Sequence, residues 1–157
     1  MTNDYFQRLK TSFVETHKGM LCEESVAMIE KARDLAAFID ILHRFVHFKY
    51  FDNVPTLEWA HEWFDAYLPD ANACGVYLDQ IVTIDNPKPE SIILLGKCQA
   101  NAILVQPKNY YITLRDDSHL SLIAYGTACA TVRLKGERVS FTNMHRSPHS
   151  RIKTHKI

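Results

Sequence analysis

The sequence predicts an α+β protein: an N-terminal helical head of about four helices, followed by a short β-solenoid-like or meander β-repeat of ten-residue units. Three observations carry this reading. Apolar residues in the first 70 positions recur at helical spacing. From residue 82 onward they alternate with other residues in short runs that restart every ten positions. Turn-forming residues stand at a fixed place in nearly every run. The expected organisation is a head at 1–70, a β-repeat body at 71–142 and a basic, His-containing tail at 143–157.

In the head, Tyr5, Phe6, Leu9 and Phe13 mark a first helix, with Gly19 as a stop just beyond it. A second short helix is expected from Glu23 to Ala32, with Val26, Ile29 and Ala32 on one stripe. Asp34 is placed to cap a third, because its carboxylate can accept the free N–H groups of a first turn. That helix carries Leu35, Phe38, Ile39, Leu42 and Phe45 on one face. Asp52-Asn53-Val54-Pro55 reads as a turn, since Pro55 disfavours helical geometry at Val54. Thr56 can cap a fourth helix with Trp59, Ala60, Trp63, Phe64 and Tyr67, which Pro69 and Asp70 are expected to end.

The body is written in tens from Val82. The first and third residues of successive units are Val82 and Ile84, Ile92 and Leu94, Ala102 and Leu104, Ile112 and Leu114, Leu122 and Ala124, Val132 and Leu134. All are apolar, so each unit reads as a short strand with these side chains on one face. The fifth residue is Asn86, Gly96, Asp116, Gly126 or Gly136, all turn formers, with Gln106 before Pro107 in the remaining unit. The second face is apolar in the middle and turns basic toward the C-terminus. The middle strands are therefore expected to be covered on both faces, with the helical head as one candidate cover. Two architectures fit: a solenoid in which successive units stack as coils, and an antiparallel meander. The constant unit length favours the solenoid.

Of 157 residues, 46% are hydrophobic and 23% charged, a globular composition rather than a disordered one. No secretory signal and no run long enough to span a bilayer is expected, which makes a cytoplasmic protein the default reading. The zero net charge conceals a split. Residues 1–70 hold 12 acidic and 7 basic side chains, and residues 71–157 hold 6 and 11. Arg146, Arg151, Lys153 and Lys156 close the chain without an acid among them, a pattern that reads as a solvated tail or as a draw for an acidic partner.

Candidates for chemistry are few. His43 and His47 lie one helical turn apart, the spacing of a metal pair, but lack the Glu that a zincin needs after the first His. His145, His149 and His155 cluster in the tail. Asp116-Asp117-Ser118-His119 contains the letters of a hydrolase triad, yet neighbours in a strand or turn point different ways, so a plain turn explains them; the paired carboxylates also suit calcium. Cys22, Cys74, Cys98 and Cys129 have no zinc spacing and read as reduced thiols. No phosphate-binding glycine loop, nucleophile elbow or HExxH is present. No catalytic residue and no cofactor is expected.

The segments EWAHEWF, GVYLDQIVTIDNP and SHLSLIAYGTACATVRL resemble uncharacterised small proteins of prophages and mobile elements in gut bacteria. The resemblance implies an α-head with a β-repeat body and such an origin, and carries no activity with it. The functional expectation is a non-enzymatic interaction or assembly protein with a protein partner and a homo-oligomeric state. The alternative is a binder of nucleic acid or an anionic ligand through Arg115, Tyr125, Arg133, Lys135 and Arg138. A small metal-dependent enzyme comes third.

Overall fold

The computed structural model describes residues 1–46 and 54–157, and divides into two compact units, Met1–Cys74 and Gly75–Ile157.

The first unit is helical. Helix α1 (Asn3–Thr16) starts at Thr2, whose hydroxyl accepts the Tyr5 N–H, and buries Phe6, Leu9 and Phe13. It also buries Lys10, whose ammonium donates to the carbonyls of Glu30 and Ala32 at 3.0 Å each. Those carbonyls end α2 (Glu23–Lys31), so the lysine satisfies acceptors that the helix leaves open. Helix α3 (Leu35–Val46) begins as expected at Asp34, whose carboxylate accepts the Ala37 N–H at 2.8 Å. Phe38, Ile39, Leu42 and Phe45 on this helix are buried. Helix α4 (Leu57–Phe64) is capped by the Thr56 hydroxyl, and Trp59 and Phe64 are buried. The rings of Phe13, Phe38 and Trp59 meet edge-on or tilted at 4.9–6.1 Å, the preferred geometry of aromatic pairs. His17 is fully buried and joins two segments: its Nε2 accepts the Thr56 N–H at 3.2 Å and its Nδ1 lies 2.8 Å from the Phe13 carbonyl. Of the expected turn at 52–55, Asp52 and Asn53 lie outside the described residues.

One expectation fails here. Pro69 does not end the fourth helix. That helix gives way at Asp65 to a 3-10 turn (Asp65–Tyr67), and Pro69 stands in the first turn of a further helix, α5 (Leu68–Ala73). Proline lacks an N–H, but the first turn of a helix has no partner for one, so it starts helices as readily as it stops them.

The second unit is a parallel β-solenoid of about four coils. Its nine strands are β1 (Val76–Leu78), β2 (Ile81–Asp85), β3 (Ser91–Leu95), β4 (Gln99–Leu104), β5 (Asn109–Arg115), β6 (His119–Ala124), β7 (Cys129–Lys135), β8 (Ser140–Arg146) and β9 (Arg151–Lys156). Odd-numbered strands form one sheet in the order β1-β3-β5-β7-β9, even-numbered strands a second in the order β2-β4-β6-β8, and every pairing is parallel. This excludes the meander and revises how the units stack. Alternate ten-residue units lie side by side, not successive ones: Ile92 stands beside Ile112, and Ile112 beside Val132. The reason is burial. A single stack of strands would leave its apolar face against water. Two stacks facing each other bury both apolar faces at once.

The phase of the register holds. Ten of the twelve repeat positions are buried, and Val82 and Leu134 pack partly buried against the same core. The fifth positions hold too. Asn86, Gly96, Asp116, Gly126 and Gly136 all have positive φ, the backbone state that turns one strand into the next. Side chains tie the corners together. The Asp116 carboxylate accepts the Gly96 N–H at 3.1 Å, the Asn86 side-chain oxygen accepts the Val105 N–H at 2.8 Å, and the Asp79 carboxylate accepts the Lys97 N–H.

The outer faces of the two sheets differ. On the odd sheet, Ile93, Leu95, Thr113 and Arg115 are buried although they point away from the solenoid core. Arg115 therefore does not face water, contrary to the alternation read from the sequence. It continues a face that is already buried at Ile93 and Leu95. On the even sheet, the outward positions of β2 and β4 are mostly polar and exposed.

Residues 143–157 are not a loose tail. They complete β8 and supply all of β9, which together form the last coil. Phe141 and Ile152 are its inward apolar contacts. Between Leu122 and Ile123 the register against β8 shifts, so Met144 is an extra, exposed residue at a bulge.

Candidate binding surface on the last coil

In a parallel sheet every second side chain shares a face, and residues paired across strands form rows about 4.8 Å apart. On the outer face of the odd sheet the pairings set three such rows. Asn109, Cys129 and Arg151 form one, Tyr111, Thr131 and Lys153 the next, and Thr113, Arg133 and His155 the third. Arg115 pairs with Lys135 beyond them. The face thus changes along the solenoid from Ile93 and Leu95 at β3 to Arg151, Lys153 and His155 at β9. Arg151 and Lys153 are exposed, and neither forms an ion pair or a side-chain hydrogen bond among the described residues.

The five residues expected to bind an anion do not form one groove. Arg115, Arg133 and Lys135 share this outer face, but Arg115 and Lys135 are only 4% and 7% exposed. Tyr125 lies at the corner after β6, on the other sheet, with its ring 5.3 Å from that of His145. Arg138 sits at the corner after β7 and pairs with Asp117 at 2.6 Å. The residues missed were Cys129 and Thr131 on β7, which stands beside β9, and Asn109 and Tyr111 on β5, one strand further in the same rows. Only the coil length brings them into line with Arg151 and Lys153, and no local motif signals it.

The remaining candidates separate in space. His43 is buried on α3, and His47 lies outside the described residues. His145 and His155 lie on different sheets. Among the described residues no group of three His, Cys, Asp or Glu side chains is placed to hold a metal ion. The four residues Asp116–His119 do not bond to one another through their side chains but turn to other partners. Asp116 accepts from the Gly96 N–H, Asp117 pairs with Arg138, and Ser118, fully buried, donates to the Gly96 carbonyl at 3.1 Å. His119 contacts the hydroxyls of Ser140 and Ser121 across the outer face of the even sheet. Their work is to hold a corner and a sheet face. The cysteines are all free, and burial pushes the Cys98 thiol up from its ordinary pKa. Among the described residues no helix is long and apolar enough to cross a membrane.

Comparison with protein-family models, curated proteins and solved structures finds no match for this chain.

Proposed function

We propose that the chain is a non-enzymatic interaction protein that docks an acidic protein surface on the last coil of its solenoid. The observation that carries this reading is the make-up of that coil. Strands β8 and β9 and the turn between them hold Arg146, Arg151, Lys153 and Lys156 with three histidines and no carboxylate. Most of these side chains are exposed, and β8 and β9 each pair on one side only among the described residues. Exposed strand edges in natural proteins carry such charges and bulges to block pairing with a like edge. Like charges placed opposite one another repel, so two last coils do not meet. An acidic surface is attracted instead.

The same molecule carries an excess of acidic side chains in its head. The head carries 12 acidic against 7 basic side chains over residues 1–70. The simplest partner is therefore a second copy, its head against this coil, which makes the protein a homo-oligomer. An origin in a phage or mobile element suits a small assembly protein, and rests on the sequence resemblance alone. Light scattering tests the docking. The expected mass is that of a dimer at low ionic strength, falling to a monomer as salt screens the contact. The double variant Arg146→Glu/Lys156→Glu is expected to be monomeric in both conditions. A monomer at low ionic strength, or a dimer that ignores both salt and the variant, contradicts the reading.

A second reading, binding of nucleic acid, is favoured by one observation. Tyr111 is 40% exposed and lies in the same row as Lys153, with Thr131 between them, so one face carries both an aromatic ring for a base and a cation for the backbone. Fluorescence anisotropy with a single-stranded oligonucleotide checks it. Tight binding lost in Tyr111→Ala would put this reading first.

A further inference from the structure

The rows on the odd sheet build more than a charged surface. The middle strand β7 contributes the short side chains of Cys129 and Thr131, flanked by Asn109 and Tyr111 on β5 and by Arg151 and Lys153 on β9. Long walls over a short floor make a trough, and a cavity of about 270 Å³ lies there, lined by these six residues together with Tyr110 and Ala130 between them in the chain. Its walls stand two strand spacings apart, roughly 10 Å, and neighbours along each wall are roughly 7 Å apart. That is below the usual ~300–1,000 Å³ of sites for drug-sized molecules, so it suits a compact ligand.

The chemistry of the walls sets its sign. One wall is two cations without an acidic partner. The other offers an amide and a phenol, and the floor adds a hydroxyl. The nearest carboxylate in register, Glu90, precedes β3 and lies beyond the β5 wall, away from the cations. We propose that this trough is a binding site for a compact dianion, a phosphate or phosphomonoester group. Arg151 grips the group through its planar fork and Lys153 meets it as a point charge, while Thr131 and Asn109 donate to the remaining oxygens. A group spread over several acceptor oxygens uses donors on both walls, which a single carboxylate does not. The proposal rests on the reading of the last coil as a binding element and adds the class of ligand.

Cys129 on the floor reports occupancy directly. The experiment is alkylation of the full chain by iodoacetamide, quantified at each cysteine, in the Arg146→Glu/Lys156→Glu background with Cys22→Ser. That background removes docking between copies and the exposed thiol, and leaves the trough untouched. Inorganic phosphate is expected to slow modification of Cys129 several-fold relative to sodium chloride of equal ionic strength, with Cys74 unaffected. Phenyl phosphate tested alongside separates the sources: stronger protection than by phosphate assigns an aromatic phosphomonoester, with its ring against Tyr111, and equal protection assigns free phosphate. Adding Arg151→Gln/Lys153→Gln is expected to abolish protection while the buried Cys98 stays unreactive, which shows that the body remains folded. Phosphate without effect on Cys129, or protection that survives loss of both cations with Cys98 still shielded, overturns the site. A dimer that fails to form leaves this result unchanged, and a failed protection leaves the dimer unchanged, so the two readings fall separately.

Discussion

Leu114→Asp is expected to unfold the solenoid, and Arg115→Asp to destabilise it as well. Leu114 is fully buried in an inward row between Leu94 and Leu134. A carboxylate there has no polar partner in the row, and burying it costs several kcal/mol, comparable with the ~5–15 kcal/mol that holds a typical domain together. The alternation alone puts Arg115 in water and expects its substitution to be harmless. The structure puts it at 4% exposure beside Lys135. Removing the guanidinium and its stem from a buried face costs on the order of 2–3 kcal/mol, with Lys135 compensating part of the new charge. Chemical denaturation of both variants checks this. A near-native midpoint for Leu114→Asp contradicts the inward phase, and one for Arg115→Asp contradicts burial of the outer face.

The second large effect is at a corner. Gly96 has φ +70°, and a Cβ added there falls onto the Asp79 carboxylate, well inside contact distance. That carboxylate accepts the Lys97 N–H and joins one coil to the next, so it cannot move aside freely. Gly96→Ala therefore combines left-handed backbone strain of about 1–2 kcal/mol with a broken corner hydrogen bond worth about 1 kcal/mol or more. Gly126 is the control. It has φ +57°, but its nearest outside atom is the Val105 carbonyl oxygen at 3.8 Å. Gly126→Ala should show the backbone strain alone, about 1–2 kcal/mol. Equal losses in the two variants would show that the Asp79 contact carries no weight.

How much of this was legible follows from what each signal encodes. Alternation at Ile92, Leu94, Ile112 and Leu114 fixes which side chains point inward, because a strand has only two faces. The left-handed positions were legible because few residues other than Gly, Asn and Asp sit there readily. The single exception, Gln106, precedes Pro107, which disfavours helical geometry at the residue before it. The closure of the coil was not legible. A ten-residue repeat looks the same whether one unit or two make a turn, and only packing of two apolar faces decides.

Strands β8 and β9 were hidden for a related reason. Phe141 and Ile152 are their main apolar inward contacts, and the bulge at Met144 breaks the period, so Arg, Lys, His and Thr read as a solvated tail. The trough was legible only as charge. Arg151 and Lys153 stood out as basic residues without acids. Asn109, Tyr111, Cys129 and Thr131 reach them only through pairings 20 and 22 residues apart. Arg115 and Lys135 were legible as cations but not as buried ones, because local alternation assigns a side chain to a face and does not fix its burial there.

The last coil is a folded strand pair with one open edge and a basic surface, and amide hydrogen exchange across residues 140–157 checks this. A parallel edge strand donates alternate N–H groups to its one neighbour and leaves the rest toward solvent. Arg151 donates to the Ala128 carbonyl at 3.1 Å and Ile157 to the Leu134 carbonyl at 2.9 Å. In salt that keeps the chain monomeric, slowed exchange is expected at Arg151, Lys153 and His155 and fast exchange at Ile152, Thr154 and Lys156. Uniformly fast exchange through all six would contradict it, because the basic residues would then belong to a disordered tail and build no surface at all.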